Sequence, residues 1–251
     1  MMKPLFVMAA LVAAPVAAQT IAPAPLVAPA AAPADGPLTG TVSDDNAWSS
    51  LGVHIPAFAT NQDVPTPATG GTTARLGRGI AEVITGDLKN NGLFKPVGPN
   101  ALPAISFAEV GAPKFADWSG RGAEMLVQGS VAAGGNGNLT ILCSLYDVSL
   151  QQQLVSATWE VAPADWRRSA HKCADKIYAR LSGESPFFDS RIAYIAETGP
   201  KNHRMKRLAI MDSDGANHRF ITTGQAMALT PRFSPDYKRI VYLSYLNGMP
   251  R

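Results

Sequence analysis

A short strand pattern occurs twice in the last quarter of the chain, and this repeat strongly limits the folds open to that region. Arg191-Ile-Ala-Tyr-Ile-Ala196 returns 48 residues later as Arg239-Ile-Val-Tyr-Leu-Ser244. A blade of a β-propeller is a four-stranded sheet of roughly 40–50 residues. The spacing therefore predicts that residues 188–251 form the start of a β-propeller.

The residues between and after the two copies fit the strands and turns of such blades. Pro235 and Asp236 suit the two central positions of a type I turn. One to one and a half blades cannot close a ring and leave strand edges unpaired, so we expect the chain to be a C-terminally truncated part of a longer protein. The predicted elements are a strand over 207–211, a hairpin turn over 212–215, a return strand over 218–222 and the beginning of a second blade over 230–237.

Residues 51–184 are predicted to form an α+β domain in which a mixed sheet packs against two helices. Strand patterns cover 51–58, 125–131, 139–148 and 153–161. Gly92 and Gly183 suit the left-handed residue that ends a helix. Apolar residues at helical spacing indicate the two helices: one carries Leu76, Ile80, Val83, Ile84 and Leu88, and the other carries Trp166, Ala170, Cys173, Ala174, Ile177, Tyr178 and Leu181.

Several polar side chains of this domain are expected to face solvent. His54 lies on the strand face opposite Leu51, Val53 and Ile55, and no partner motif accompanies it. The outer face of the second helix is basic, which could contact nucleic acid or anionic lipid, but a solvated surface is favoured for an exported protein. The cationic side chains of this face are Arg167, Arg168, Lys172, Lys176 and Arg180.

The chain has two cysteines, and both are predicted to point into the same core. Cys143 shares its strand face with Leu139, Ile141 and Leu145, and Cys173 lies on the apolar face of the second helix. Two alternatives remain open: a disulfide, which an oxidising compartment would favour, or two buried free thiols. A catalytic thiolate is not indicated, because neither position suggests an activated, partly exposed environment.

The N-terminal residues have the layout of an export signal followed by a linker. Lys3 precedes the apolar run 5–13, and small residues at 16–18 predict cleavage before Gln19. We therefore expect a signal peptide over 1–18 and a mature protein beyond the inner membrane. Residues 19–50 form a flexible tail rich in Pro and Ala, in which proline favours extended polyproline II. The tail is either a spacer or a partner-binding strand, and composition does not separate the two.

Composition and motifs exclude several classes of function. The longest apolar run, 5–18, is shorter than the about 20 residues of a membrane-spanning helix. The glycine-rich connector 134–138 lacks the Lys-Ser/Thr ending of a phosphate loop and joins two predicted strands, so it indicates a hairpin turn. The sequence contains no Gly-x-Ser-x-Gly elbow and no His-Glu-x-x-His motif. Removal of Lys3 with the signal peptide lowers the net charge from +3 to about +2, which is too small to indicate nucleic-acid binding. We expect no catalytic residue, no cofactor and no metal site.

Five segments of the sequence resemble those of one known protein family. The resemblance covers the chain from about Leu51 to its last residue. Tyr237 stands where the family usually has glycine, and the tail is longer than the family's. The segments are HIPAF (54–58), IAEVITGDLKNNGLFKPV (80–97), FADWSGRGAEMLVQGSV (115–131), WRRSAHKCADKIYARLSGESPFFDSRIAYI (166–195) and, for the start of the propeller, FFDSRIAYIAETGPKNHRMKRLAIMDSDGANHRFITTGQAMALTPRFSPDYKRIVYLSYLNGMPR (187–251). They resemble the TolB family, the periplasmic components of the Tol-Pal system of Gram-negative bacteria.

The resemblance implies a non-catalytic periplasmic adaptor that supports outer-membrane integrity and constriction at cell division. It implies two partners, the peptidoglycan-associated lipoprotein at one mouth of the propeller and the third domain of TolA at the mature N-terminus, and it leaves room for other Tol-Pal components. Gln19, Thr20 and Ile21 are the expected TolA-binding residues, as an extended strand added to a partner sheet. Leu229 and Thr230, in the loop leading into the second blade, are the expected lipoprotein-binding residues.

Two other functions remain open at this point. Propeller repeats with similar turns also precede hydrolase domains of the prolyl-oligopeptidase type, and such a catalytic domain would have to lie beyond residue 251. A free-standing extracytoplasmic scaffold with an unrelated partner would keep the fold and change the ligand. The two-helix α/β domain before the propeller favours the TolB resemblance over the hydrolase.

Overall fold

The computed structural model describes residues 50–67 and 71–251. The predicted signal peptide (1–18) and the predicted tail (19–50), apart from Ser50, lie outside the described residues. The described chain begins with an α/β domain and continues into two further β-sheets. This is the order of parts that the sequence predicts.

A five-stranded mixed sheet forms the centre of the α/β domain. One strand lies parallel to both of its neighbours, and the last three strands form an antiparallel meander. The predicted α+β fold with a mixed sheet is therefore confirmed. The strands are β1 (Leu51–His54), β2 (Phe94–Val97), β3 (Met125–Ala133), β4 (Leu139–Asp147) and β5 (Gln152–Val161), and they stand in the order β2-β1-β3-β4-β5.

Two long helices cover one face of this sheet. The helices of the domain are α1 (Thr73–Asn90), the short α2 (Phe115–Ser119) and α3 (Trp166–Ser182). Gly183, at φ +75°, donates its N–H to the Ala179 carbonyl at 3.1 Å and ends α3 in the predicted left-handed conformation. The main core lies between the sheet and α1 and α3, and its buried side chains include Ile55, Leu76, Ile80, Ile84, Leu88, Val127, Ile141, Leu145 and Ile177.

The opposite face of the sheet is covered by α2 and its flanking loops. Trp118 of α2 packs with Leu126 of β3 and Tyr146 of β4, and the Tyr146 hydroxyl donates to the Val110 carbonyl at 3.0 Å. His54 is buried on this face, with its ring 6.4 Å from that of Trp118, and burial lowers its pKa. The expectation that His54 faces solvent is wrong, because a five-residue helix leaves no periodic signal in the sequence.

Residues 191–250 form two open antiparallel sheets. The two copies of the sequence repeat form β-strands, one in each sheet, as predicted. The first sheet consists of β6 (Arg191–Thr198), β7 (Met205–Asp212) and β8 (Arg219–Phe220); the second consists of β9 (Met227–Phe233), β10 (Ile240–Leu246) and β11 (Met249–Pro250). Strand β9 packs against β6 and β7, which stacks the second sheet on the first. Stacked, open sheets of this kind are those expected at the start of a β-propeller.

Candidate functional site

The linker between α3 and β6 is fixed by side chains from both of the parts that it joins. Asp175 of α3 accepts the backbone N–H groups of Phe188 (2.7 Å) and Asp189 (3.1 Å). Ser213, in the turn after β7, donates its hydroxyl to the Phe188 carbonyl at 2.6 Å and its N–H to the Ser190 carbonyl at 3.2 Å. Specific hydrogen bonds therefore hold the α/β domain against the first sheet, and we call this region the junction.

Two arginines near the start of α3 pair with carboxylates of the linker and the first sheet. Arg168 donates from Nε to Asp189 Oδ1 (3.1 Å) and from Nη2 to Asp189 Oδ2 (3.0 Å). Arg167 Nη2 pairs with Asp214, and Arg167 Nε lies 3.7 Å from Asp212 Oδ2. The expectation of a solvated basic face is wrong for Arg167, whose side chain is only 19% exposed, because the carboxylates that meet it come from a later part of the chain. Arg168 is exposed, as expected, and also pairs with Asp189.

A cleft of about 540 Å³ opens beside the junction. It is bordered by the linker on one side and by the second sheet on the other. Aromatic side chains next to arginine are enriched in protein–protein interfaces, so the cleft has the composition of a protein-binding surface. Its lining side chains include Phe187, Phe233, Tyr237, Arg168, Asp189 and Arg191.

A buried ionisable pair links α1 to α3 beneath the junction. His171 Nδ1 lies 2.7 Å from Asp87 Oδ2, and each side chain is only 2% exposed. Burial raises the pKa of Asp87, although its hydrogen bond with His171 opposes this change. Burial alone lowers the pKa of His171, but the hydrogen bond and the negative charge of Asp87 outweigh that effect and raise it. The pair therefore retains a proton more strongly than its two members would separately.

The pair of Asp87 and His171 is not predicted from the sequence. Asp87 and His171 are 84 positions apart, so no local motif joins them. One signal was available: Asp87 lies three and four positions after Ile84 and Val83, on the apolar face of α1. A carboxylate on a buried helix face requires a partner from another element, and α3 provides it.

The predicted lipoprotein-binding residues lie within β9, and their expected position in a preceding loop is wrong. Leu229 is half-buried and Thr230 is exposed. The pairing of β9 with β10 shifts register after Leu229, so that Thr230 and Pro231 form a bulge. Thr230 has φ +46°, which is rare for a β-branched residue. The role of Leu229 and Thr230 in partner binding stays a prediction.

The two cysteines meet in the main core. Cys143 of β4 and Cys173 of α3 are joined by a disulfide, with their Cα atoms 6.1 Å apart, and both side chains are fully buried. Cα separations of about 4.4–6.8 Å are usual for disulfides. Of the two alternatives that the sequence leaves open, the structure contains the bonded one.

The predicted TolA-binding residues Gln19, Thr20 and Ile21 lie outside the described residues. Their role therefore stays a prediction. In the part of the chain that the structure describes, none of the helices combines the length and the apolar character needed to cross a membrane.

Comparisons with known protein families match both parts of the chain. Residues 58–154 match the family described as the TolB amino-terminal domain. Residues 178–251 match the family described as the TolB beta propeller domain. The first match ends in β5 and the second begins in α3, so together they cover most of the α/β domain and both propeller sheets.

Individual relatives and a solved structure extend these matches. Tol-Pal system protein TolB 1 of Novosphingobium aromaticivorans is 71% identical over 213 residues, which are 85% of this chain and 47% of the relative. Tol-Pal system protein TolB of Sphingopyxis alaskensis is 63% identical over 199 residues, 79% of this chain and 43% of the relative. The crystal structure of TolB from Acinetobacter baumannii superposes with a TM-score of 0.60 at 25% identity, covering 78% of this chain and 44% of that one. This chain thus spans about half the length of the curated relatives that it matches.

Proposed function

Because this chain belongs to the TolB family, we propose that it is a non-catalytic periplasmic component of the Tol-Pal system, an adaptor that works by binding other proteins. The observation that carries the proposal is the succession of a TolB amino-terminal domain and TolB propeller sequence along one chain. In this role the protein supports outer-membrane integrity and constriction during cell division.

The junction supports an adaptor role. The bidentate pair of Arg168 with Asp189 and the hydrogen bonds of Asp175 and Ser213 hold the α/β domain against the first sheet. An adaptor needs its binding surfaces in a defined arrangement, since two linked sites act together only when their geometry permits both to be occupied. The aromatic and charged cleft beside the junction adds a surface of suitable composition.

We assign the two partners to opposite ends of this chain. The peptidoglycan-associated lipoprotein binds near Leu229 and Thr230, where a bulge interrupts β9 and Thr230 is exposed. TolA binds the tail through Gln19, Thr20 and Ile21, as a strand added to the edge of its own sheet. Support for the tail assignment comes from the family resemblance and from the extended conformation that a proline-rich segment favours.

The TolA assignment is tested by deleting residues 19–35 and measuring affinity for the third domain of TolA by calorimetry. We expect the deletion to weaken TolA binding strongly, because it removes the strand that would pair with the TolA sheet. Thr230→Arg is the matched control and should leave TolA affinity unchanged. Equal affinity for the deleted and intact chains would reduce the tail to a spacer.

The lipoprotein assignment is tested by photo-crosslinking, which also detects weak binding. A photo-reactive amino acid in place of Thr230 should crosslink to the soluble lipoprotein domain. The same amino acid in place of Thr140, which is exposed on β4 in the α/β domain, should not. Crosslinking from position 140 alone would move the site to the α/β domain.

A further inference from the structure

We propose that His171, Asp212 and Asp214 form a binding site for a divalent transition-metal ion, with zinc the best fit, at the junction. The imidazole comes from α3, and the two carboxylates come from the end of β7 and the turn that follows it. One ligand atom from each of the three side chains lies within 4.8 Å of the other two. One imidazole nitrogen and two carboxylate oxygens, with water in a fourth position, form a set that zinc accepts.

The second nitrogen of His171 is the observation that points to a ligand. Nε2 is buried and has no hydrogen-bond partner among the described residues. A buried polar atom left unpaired costs about 1–3 kcal/mol, and native proteins usually satisfy such atoms. Since Asp87 engages Nδ1 at 2.7 Å, Nε2 is the nitrogen that remains for a metal ion.

Asp87 already stands where a metal-binding histidine normally has its supporting carboxylate. Histidine ligands almost always donate their other ring N–H to a carboxylate, a carbonyl or water, which fixes the ring and strengthens the metal bond. In neutral His171 the single ring proton can lie on Nδ1, toward Asp87, which leaves Nε2 free to bind a metal ion. The buried pair and the metal site are therefore compatible.

The two carboxylates are held in place by their own neighbours. Asp212 Oδ2 accepts the side-chain N–H of Asn217 at 2.6 Å, and Asp214 Oδ1 accepts the backbone N–H of Ala216 at 3.0 Å. Their side chains are only 11% and 19% exposed. The site is thus built from oriented groups, and little reorganisation is needed to receive an ion.

The charges of the cluster favour a dication. Asp87, Asp212 and Asp214 contribute three negative charges, and Arg167 contributes one positive charge. His171 is neutral when it binds a metal, because the ligating nitrogen must be deprotonated. The cluster then carries a charge of −2, which one divalent ion balances. Arg167 pairs with the same two blade carboxylates and therefore competes with the ion for them.

The type of ligand selects the class of metal. Imidazole suits zinc, copper, iron and nickel, whereas magnesium and calcium prefer sites made only of oxygen. The disulfide between Cys143 and Cys173 removes the two thiols of the chain as competing ligands. A metal at this position would connect α3 directly to the first sheet, so its binding would stabilise the junction.

The test is a calorimetric titration of the metal-stripped 251-residue chain with zinc chloride, followed by cobalt absorption spectra. We expect one zinc ion per chain and a cobalt spectrum of a four-coordinate site. Asp212→Asn and Asp214→Asn should abolish this stoichiometric binding. Asp87→Asn should weaken it by about 10–100-fold, the usual effect of losing the carboxylate behind a histidine ligand. Arg167→Gln should strengthen it by removing the competing cation.

Matched controls separate this site from incidental binding. His218→Ala and Asp236→Asn change exposed residues of the two sheets and should leave zinc affinity unchanged. Because His171 is buried, His171→Ala can fail to fold, so the outcome rests on the Asp214→Asn variant, with its folding checked by circular dichroism. Failure of the parent chain to bind one zinc ion, or equal zinc affinity of the parent and the folded Asp214→Asn variant, would overturn the proposal.

Discussion

Gly77 of α1 lies directly against the main chain of Phe58. The Gly77 carbonyl accepts the Phe58 N–H at 3.1 Å, and the Gly77 Cα faces the Phe58 carbonyl oxygen so closely that a Cβ would collide with it. Phe58 and Gly77 thereby join the segment after β1 to the helix across the main core. The glycine is required here by the close approach of two backbones and not by an unusual φ.

Gly77→Ala should lower the free energy of unfolding by about 1–3 kcal/mol, the usual effect of forcing extra atoms into a packed site. The clash involves main chain, so no side-chain rotation relieves it. Gly86→Ala is the control: it lies in the same helix with no atom near its Cβ position, and alanine should there raise stability by up to about 1 kcal/mol. Urea unfolding measures the free energy of unfolding of both variants. If both substitutions changed it in the same direction, the close approach of Gly77 to Phe58 would be absent in solution.

The disulfide between Cys143 and Cys173 gives a second prediction. Under denaturing, non-reducing conditions the chain should show no free thiol and should lose two mass units relative to the reduced form. The bond closes a loop with a sequence separation of 30, and loops of that size contribute about 3–4 kcal/mol by restricting the unfolded chain. The Cys143→Ala, Cys173→Ala double variant should therefore unfold at lower urea concentration. Two titratable thiols in the oxidised, denatured chain would instead support the buried free thiols.

The capping interactions of Glu109 give a prediction about pH. Glu109 pairs with Lys114 at 2.7 Å and accepts the N–H and the hydroxyl of Ser106, each at 2.8 Å. These contacts favour the charged carboxylate and lower its pKa from 4.5 to about 2. The resulting stabilisation is fully present above pH 4.5 and is lost as the pH falls toward 2. Carbon-13 NMR should follow the pKa directly, and Lys114→Ala should raise it toward 4.5; an unchanged pKa in that variant would contradict the pairing.

The sequence predicted the long elements well because each is encoded locally. Leu76, Ile80 and Ile84 define the buried face of α1 by their spacing alone, and Gly183 marks the end of α3 through a conformation that few other residues adopt. Tyr237 completes the predicted turn at φ +56°, which explains why the TolB resemblance expects glycine at that position. The strand repeat likewise predicted β6 and β10, because each copy encodes its strand locally.

Contacts between distant segments were not predictable in this way. Arg167 pairs with Asp214, which lies 47 positions later in the chain. From the sequence, Arg167 is only a charge on a solvated helix face and Asp214 only a charge in a turn. Trp118 covers His54 from a helix too short to display a period. The candidate metal site depends on two such contacts at once, of His171 with Asp212 and with Asp214, so it could be found only from the folded chain.

The bulge in β9 gives the last prediction, which links stability to partner binding. Thr230 is held at φ +46°, and the left-handed region costs L-residues roughly 1–2 kcal/mol. Thr230→Gly removes this strain but gives the unfolded chain more freedom, worth about 0.4–1 kcal/mol, so the net gain in stability should be no more than about 1.5 kcal/mol. Strain of this kind concentrates at binding and switch sites, which is consistent with a lipoprotein site at Thr230. We expect Thr230→Gly to bind the lipoprotein more weakly, because the bulge no longer carries a side chain.

Thr230→Val is the matched control for this prediction. Valine has nearly the same shape and is also β-branched, so the backbone strain persists and stability should not rise. Thermal unfolding of the parent chain and the two variants should therefore rank Thr230→Gly above the parent, with Thr230→Val no more stable than the parent. If Thr230→Val were as stable as Thr230→Gly, the left-handed conformation could not be the source of the strain.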